Sequence, residues 1–215
     1  MRNWLVFFVF PVLVLSLAGC GGKKKMLEAK STLALPPDLE AYQPQPRNLT
    51  PEQLEISDLL KKNGFKNPRV KPTIIWVQKV PRRLTVYRGT TRLKTYPIVL
   101  GANPRNDKLY QGDRCTPEGV YRVVTKFDHP RWDKFILLDY PNMDNWLKFT
   151  KGKKAGRIPF DANIGGEIGI HGTHDQYMNA AGEDWTFGCV SLLNQHIEEI
   201  YPLVNDDTLV VIKKK

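Results

Sequence analysis

From residue 70 onward the chain is made of short runs of β-branched and aromatic residues punctuated by glycine and proline, a texture that restricts it to a β-rich body. Residues 73–80 form one such run. Residues 82–87 alternate, with Leu84 and Val86 on one face, and Arg88-Gly89-Thr90 turns the chain into a partner strand over residues 92–100. Residues 119–127, 134–140 and 209–212 read as further strands. One helix is marked in this region: Ile197, Ile200, Tyr201 and Val204 recur at helical spacing, with Asn194 expected as N-cap and Pro202 expected to kink or end it. Many short strands with one or two helices predict a mostly β, mostly antiparallel domain. Residues 142–156 mix aromatics and lysines without a clear period, and read either as a surface connection or as a segment bordering a cleft.

The first third of the 215 residues has another character. Met1-Arg2-Asn3 carries one positive side chain, and residues 4–17 are almost wholly apolar. That run is too short for a comfortable bilayer span of about 20 residues. It ends in Leu17-Ala18-Gly19-Cys20, where small residues before a cysteine read as a signal-peptide cleavage site and resemble the bacterial lipobox. The resemblance implies cleavage before Cys20 and lipid on its sulfur and new amino terminus, a stable membrane anchor when two or more acyl chains are present. Gly21, in place of the aspartate that marks inner-membrane retention in enteric-type sorting, points to the outer membrane. Proline-rich stretches around residues 35–46 then read as an extended tether. Thr50-Pro51-Glu52-Gln53 is a helix start with a capping box, Asn63-Gly64 its end, and Leu54, Leu59 and Leu60 its body-facing side. The expected organisation is therefore a lipoprotein signal over residues 1–19, a lipid-anchored linker with a short helix over 20–69, and one folded domain over 70–215.

The formal charge of +10 does not indicate nucleic acid in an exported protein. Lys23-Lys24-Lys25 beside the anchor favours anionic headgroups, Lys213-Lys214-Lys215 reads as a solvated tail, and an anionic cell-wall polymer is a partner consistent with the rest.

Two short segments carry chemistry. In Glu167-Ile168-Gly169-Ile170-His171 the alternation sends both isoleucines inward and leaves His171 facing a cleft floored by glycine, with Gly172 permitting a sharp turn. Asp184-Trp185-Thr186-Phe187-Gly188-Cys189-Val190-Ser191 supplies a thiol 18 residues later. A thiol needs a base to become a nucleophile, and histidine is the usual one. Cys189 is thus the candidate nucleophile and His171 the general base and acid. Gly188 is the candidate oxyanion-hole backbone, and Thr186 can donate a hydroxyl or lock the turn. Gly172, through its carbonyl, and Asp175 are the two candidates to orient His171. Thr186, Phe187, Ser191, His174 and Trp185 are the expected substrate contacts, and His174 also competes as the base. If Cys20 is lipidated, Cys115 and Cys189 remain, and a disulfide between them is the competing reading. His171-x-x-His174-Asp175 invites a metal, but Gly172 stands where the HExxH glutamate would be, so neither metal nor cofactor is expected.

Ile170-His171-Gly172-Thr173 followed by Trp185-Thr186-Phe187-Gly188-Cys189-Val190 resembles the L,D-transpeptidase (YkuD) family. Gly112-Asp113-Arg114-Cys115-Thr116-Pro117-Glu118-Gly119 resembles its GDxxTPEG turn. Tyr140-Pro141-Asn142, Gly165-Gly166-Glu167-Ile168, Asn194 and Thr208-Leu209-Val210-Val211-Ile212 match its small murein-enzyme branch in the same order, over roughly residues 72–212. The resemblance implies a β-sandwich-like catalytic domain whose cysteine attacks the L,D amide of peptidoglycan stem peptides, forms an acyl-enzyme and passes the acyl group to an amine. Water in place of the amine would make it an L,D-carboxypeptidase or crosslink hydrolase, and an inert thiol would leave a peptidoglycan-binding lipoprotein. Many members carry arginine two residues after the cysteine, where this chain has Ser191; Arg114 and Arg157 are the candidates to replace that charge.

Overall fold

The computed structural model describes residues 48–67 and 71–215, and the chain from Asn48 onward forms one compact unit. The signal segment, Cys20 and the proline-rich tether lie outside the described residues.

Helix α1 (Pro51–Lys62) begins as the sequence predicts. Thr50 Oγ1 accepts from Gln53 N at 3.3 Å and Gln53 Oε1 accepts from Thr50 N at 2.9 Å, which satisfies two otherwise orphaned amides. Its inward residue is Ile56, with Leu59 and Leu60 partly buried, whereas Leu54 is exposed. Strands β1 (Thr73–Gln78), β2 (Arg83–Arg88) and β3 (Thr91–Pro97) follow as a meander. Alternation then assigns the two faces of β1. Ile74 and Trp76 pack with Ile56 beneath α1, while Ile75 and Val77 enter the main core, so the strand is buried on both faces from Thr73 to Val77.

The remaining strands are β4 (Gly119–His129), β5 (Asp133–Leu138), β6 (Gly169–His171), β7 (Val190–Ser191) and β8 (Leu209–Lys213). They join the meander in one sheet of order β3-β2-β1-β8-β4-β5-β6-β7, parallel only at β1/β8 and β6/β7. Strand β4 curls it. Residues 119–122 pair with β8, the pairing with β5 runs from Val123 to His129, and a register shift falls between Val123 and Thr125. The free edge of β7 meets the segment after β3: Val99 pairs with Ser191 and Gly101 with Thr186. The two halves of the curled sheet face each other across the core. Leu84, Val86 and Val210 come from one half, and Ile136, Ile170 and Val190 from the other, all fully buried. Each such aliphatic side chain contributes roughly 1.5–3 kcal/mol on burial.

The fold is mostly β, but the described residues hold four α-helices rather than one or two. The unpatterned stretch contains α2 (Met143–Lys154), capped by a reciprocal Asn142/Asn145 box. Its buried residues are Asn145, whose Nδ2 donates to the Tyr121 hydroxyl, and Gly152, where a Cβ would lie 2.6 Å from Ile158 Cδ1. A helix that buries an amide and a glycine shows no apolar period. Helix α3 (Gln176–Ala181) falls where the sequence marks no element. Helix α4 (Asn194–Ile200) is where its spacing places it, and a 3-10 turn (Tyr201–Leu203) containing Pro202 ends it. Asn194 is not its N-cap: Leu193 holds that position, and Asn194 Oδ1 accepts instead from Thr173 N at 2.7 Å.

Candidate active site

Parallel pairing of β6 with β7 sets Ile170 opposite Val190 and His171 opposite Ser191. Side chains alternate, so Ile170 and Val190 point into the core while Gly169, His171 and the residue preceding β7, Cys189, belong to the outer face. A cavity of about 690 Å3 opens on that face, and both His171 and Cys189 line it. Sulfur and imidazole, 18 residues apart in sequence, therefore line one pocket, in which the thiol donates to the Glu167 carbonyl at 3.5 Å.

The floor is fixed by exclusion. A Cβ on Gly169 would lie 2.3 Å from Phe135 Cε1 and 2.7 Å from the Ile136 carbonyl, so only glycine lets Phe135 lie across the strand. His171 is packed between rings: Phe135 stacks on it at 5.4 Å, Trp132 at 4.6 Å, and Trp185 meets it edge-on at 5.9 Å. Phe135 faces His171 in the β5/β6 register, and Trp132 stands on the β4–β5 turn. His129 anchors that turn, its Nδ1 accepting from the amides of Arg131 and Trp132 at 3.2 Å each. Neither Trp132 nor Phe135 is marked by a sequence motif. Only the pairing of strands more than 30 residues apart brings them to the site.

The proton positions follow from donor and acceptor types. The Trp185 indole N–H can only donate, and it donates to Asn179 Oδ1 at 2.8 Å. Asn179 Nδ2 then donates to Ser191 Oγ at 2.9 Å, which leaves the Ser191 hydroxyl to donate to the Gly172 carbonyl at 2.9 Å. His171 Nδ1 lies 2.6 Å from the same carbonyl, which can only accept. Nδ1 therefore carries the proton, and Nε2 is the lone-pair nitrogen. Of the two candidate orienters the structure selects Gly172. Asp175 is the N-cap of α3, accepting from Tyr177 N and Met178 N. Ser191, expected as a substrate contact, is fully buried, bonded on both sides and not among the cavity-lining residues, so it braces Gly172.

Burial dominates the electrostatics. It lowers His171 to about 4, against the Gly172 hydrogen bond, which raises it. Burial likewise pushes the Cys189 thiol up to about 11, opposed by the Gly169 amide and by Lys108. At neutral pH the cavity therefore holds a protonated thiol and an uncharged imidazole. Lys108 is itself buried and held by Asp113 at 2.8 Å.

The turn before the thiol is tied internally. Gly188 N donates to Thr186 Oγ1 at 3.1 Å, and the Thr186 hydroxyl donates to the Cys189 carbonyl at 2.7 Å. Thr186 thus locks the turn, and the Gly188 amide, expected as an oxyanion donor, is already engaged. Gly188 is required for another reason. Its φ is 141°, and a Cβ there would lie 2.7 Å from the Cys115 carbonyl. Asp184 holds the loop's start through a two-oxygen ion pair with Arg82 and by accepting from Leu100 N. Phe187 is exposed and also lines the cavity, with the Arg114 guanidinium 5.4 Å from its ring centroid. His174, the competing candidate base and expected contact, is exposed, edge-on to Trp185 and not among the cavity-lining residues, whereas His171 lines the cavity. Arg157 lines a different cavity. Cys115 and Cys189 are both free, and Cys115 is buried with its thiol on the Asp113 carbonyl, which removes the disulfide reading. Among the described residues no cluster of three or more metal-ligating side chains occurs.

Fold and site together define a curled β domain with a thiol–imidazole pair in an outer-face cavity. The chain belongs to the YkuD family of L,D-transpeptidase catalytic domains, whose profile matches residues 72–212. Among solved structures it is similar to the helical cell shape determining protein Pgp2 of Campylobacter jejuni, with 22% identity, a TM-score of 0.50, and coverage of 76% of this chain and 56% of that one. It is also similar to Bd1075 of Bdellovibrio bacteriovorus (21% identity, TM-score 0.49, 69% of this chain and 50% of that one). An Enterococcus faecium L,D-transpeptidase matches at 15% identity and TM-score 0.46, over 68% of this chain and 52% of that one. The chain thus spans about half the length of these proteins. No curated protein sequence matches it.

Proposed function

We propose that this protein is a peptidoglycan L,D-transpeptidase acting through an acyl-enzyme on Cys189. The observation that carries the reading is the protonated Nδ1 of His171 on the Gly172 carbonyl, which leaves Nε2 as the base in the cavity that also holds the thiol. As Cys189 Sγ attacks the carbonyl carbon of the stem peptide's L,D amide, its proton passes to Nε2 and an S–C bond forms. The amide C–N bond then breaks, and the leaving D-amino acid takes the proton from His171. An acceptor amine attacks the thioester in the second step, delivers its proton to Nε2, and the sulfur leaves to become the thiol again. With Gly188 N engaged, the Cys189 amide is the backbone donor this turn offers the developing oxyanion. The two neutral partners suit this order, because charge appears only while the proton moves.

Ser191 favours a second reading. It is buried where many family members place arginine, so the pocket lacks that cation for an acceptor's carboxylate, and water as acceptor would make the protein an L,D-carboxypeptidase or crosslink hydrolase. Mass spectrometry of muropeptides incubated with the protein and a free D-amino acid separates the two. An exchanged tetrapeptide means transfer, a bare tripeptide means hydrolysis, and an unchanged substrate removes both in favour of a non-catalytic binding lipoprotein. From Leu17-Ala18-Gly19-Cys20 we further propose a lipid anchor on Cys20 that holds the domain on the periplasmic side of the envelope, at the outer membrane. Cys20→Ser should then move the protein from the membrane to the soluble fraction, and a variant still in the membrane would refute the anchor.

A further inference from the structure

The loop from Asp107 to Thr116 separates two cavities. Lys108, Gln111 and Gly112 line the pocket that holds Cys189. Leu109, Tyr110, Asp113 and Cys115 line a second one of about 570 Å3, within the roughly 300–1,000 Å3 range of small-ligand sites. Residues of this one loop line both cavities, and the turn before Cys189 rests on it, because Gly188 packs against the Cys115 carbonyl.

The second cavity contains two carboxylates, and every oxygen of both is engaged. Asp113 Oδ1 takes Lys108 Nζ and Cys115 N, and its Oδ2 takes the amides of Leu109 and Tyr110. Asp107 Oδ2 takes Lys148 Nζ at 2.7 Å, and its Oδ1 takes Glu118 N. Lys151 and Arg157, also in the lining, have no acidic partner among the described residues. The cavity's uncompensated charge is therefore two cations, with the Tyr110 side chain and the Asn103 and Asn106 amides beside them. Such a site recognises an oxyanion, and a guanidinium does so bidentately.

We propose that this second cavity holds the carboxylates of the peptidoglycan stem that is not cut, either the stem that offers the acceptor amine or the other half of a crosslink. The inference rests on the acyl-transfer reading above. A stem lying here has only one loop between itself and the thioester. The cation missing beside Cys189 is thus supplied from across the partition, by Arg157 with Lys151.

The test uses the full chain in detergent with Cys189→Ala, so that binding is read without turnover. A diaminopimelate-containing tripeptide, its carboxyl-amidated form and inorganic phosphate are titrated calorimetrically. Lys151→Ala with Arg157→Ala, both at exposed positions, should weaken the tripeptide by about tenfold or more and leave the amidated peptide unaffected. Equal tripeptide affinity in the double variant overturns the proposal. So does phosphate that displaces the tripeptide at lower concentration than the tripeptide itself requires, since the site would then be one for a phosphate source. Acyl-enzyme formation from a tetrapeptide donor, read in the protein with its thiol and both cations intact, tests the functional reading separately. Its absence removes that reading, whereas its presence with unchanged tripeptide binding removes only the second cavity's assignment.

Discussion

A histidine buried in its neutral form must make the folded protein sensitive to acid, and His171 allows the size of that effect to be worked out. Its pKa falls from 6.5 to about 4 because burial among Trp132, Phe135 and Trp185 penalises the imidazolium. Above pH 6.5 the ring is neutral in both states and its contribution is fully present. As pH falls from 6.5 toward 4 the unfolded chain takes up a proton that the folded chain refuses, so stability is lost through that window. At 1.36 kcal/mol per pKa unit the loss reaches about 3 kcal/mol by pH 4, a large share of a typical domain stability of about 5–15 kcal/mol. His171→Asn removes the titrating group and keeps a polar side chain. Urea unfolding of both proteins between pH 7 and 4 gives the comparison, in which the carboxylates common to both cancel. The wild-type curve should fall by about 3 kcal/mol more than the variant's. Parallel curves would refute the claim that the imidazole is held neutral by burial.

Three further outcomes follow from the geometry. Ser191→Ala removes the hydroxyl on the Gly172 carbonyl and strands Asn179 Nδ2, so it should cost about 1–3 kcal/mol in a denaturant melt and slow acylation, while Ser191→Thr recovers part of both; an unaffected acylation rate would show that the brace is irrelevant. Gly169→Ala must displace the Phe135 ring or the Ile136 carbonyl, and should abolish acylation with a thermal shift of several degrees, whereas wild-type behaviour would contradict the packing under His171. Iodoacetamide labelling of Cys189 should accelerate about tenfold per pH unit from 7 to 9, because the thiol titrates near 11; a rate flat over that range would mean a thiolate already present at neutral pH.

The sequence shows the candidate site's thiol and imidazole more clearly than what supports them. Alternation in Glu167–His171 suffices to put His171 opposite the core, and Gly188 announces a turn that only glycine can make. Trp132 and Phe135 are hidden because they reach His171 through β5/β6 pairing, which no local pattern encodes. Ser191 reads as a substrate contact because of its distance from Cys189 in sequence, yet the strand carries its side chain into the hydrogen bonds behind Gly172. Strand texture gave the meander and β8 correctly, and the cap motif gave α1. Helix α2 is hard to read because its fully buried residues are Asn145 and Gly152, Phe149 alone of its large apolar side chains packs against the core, and Met143, Trp146 and Leu147 stand in solvent. The curl of the sheet depends on a single register shift in β4, again a property of pairing rather than of composition.

The most direct test of acyl transfer is the intact mass of the protein mixed with a tetrapeptide stem and quenched in acid, followed by peptide mapping. Acyl transfer through Cys189 predicts release of the terminal D-alanine and a tripeptidyl adduct on Cys189, absent from Cys189→Ala and lost or greatly slowed in His171→Asn. Turnover without any adduct on Cys189, or an adduct carried by Cys115, would contradict it.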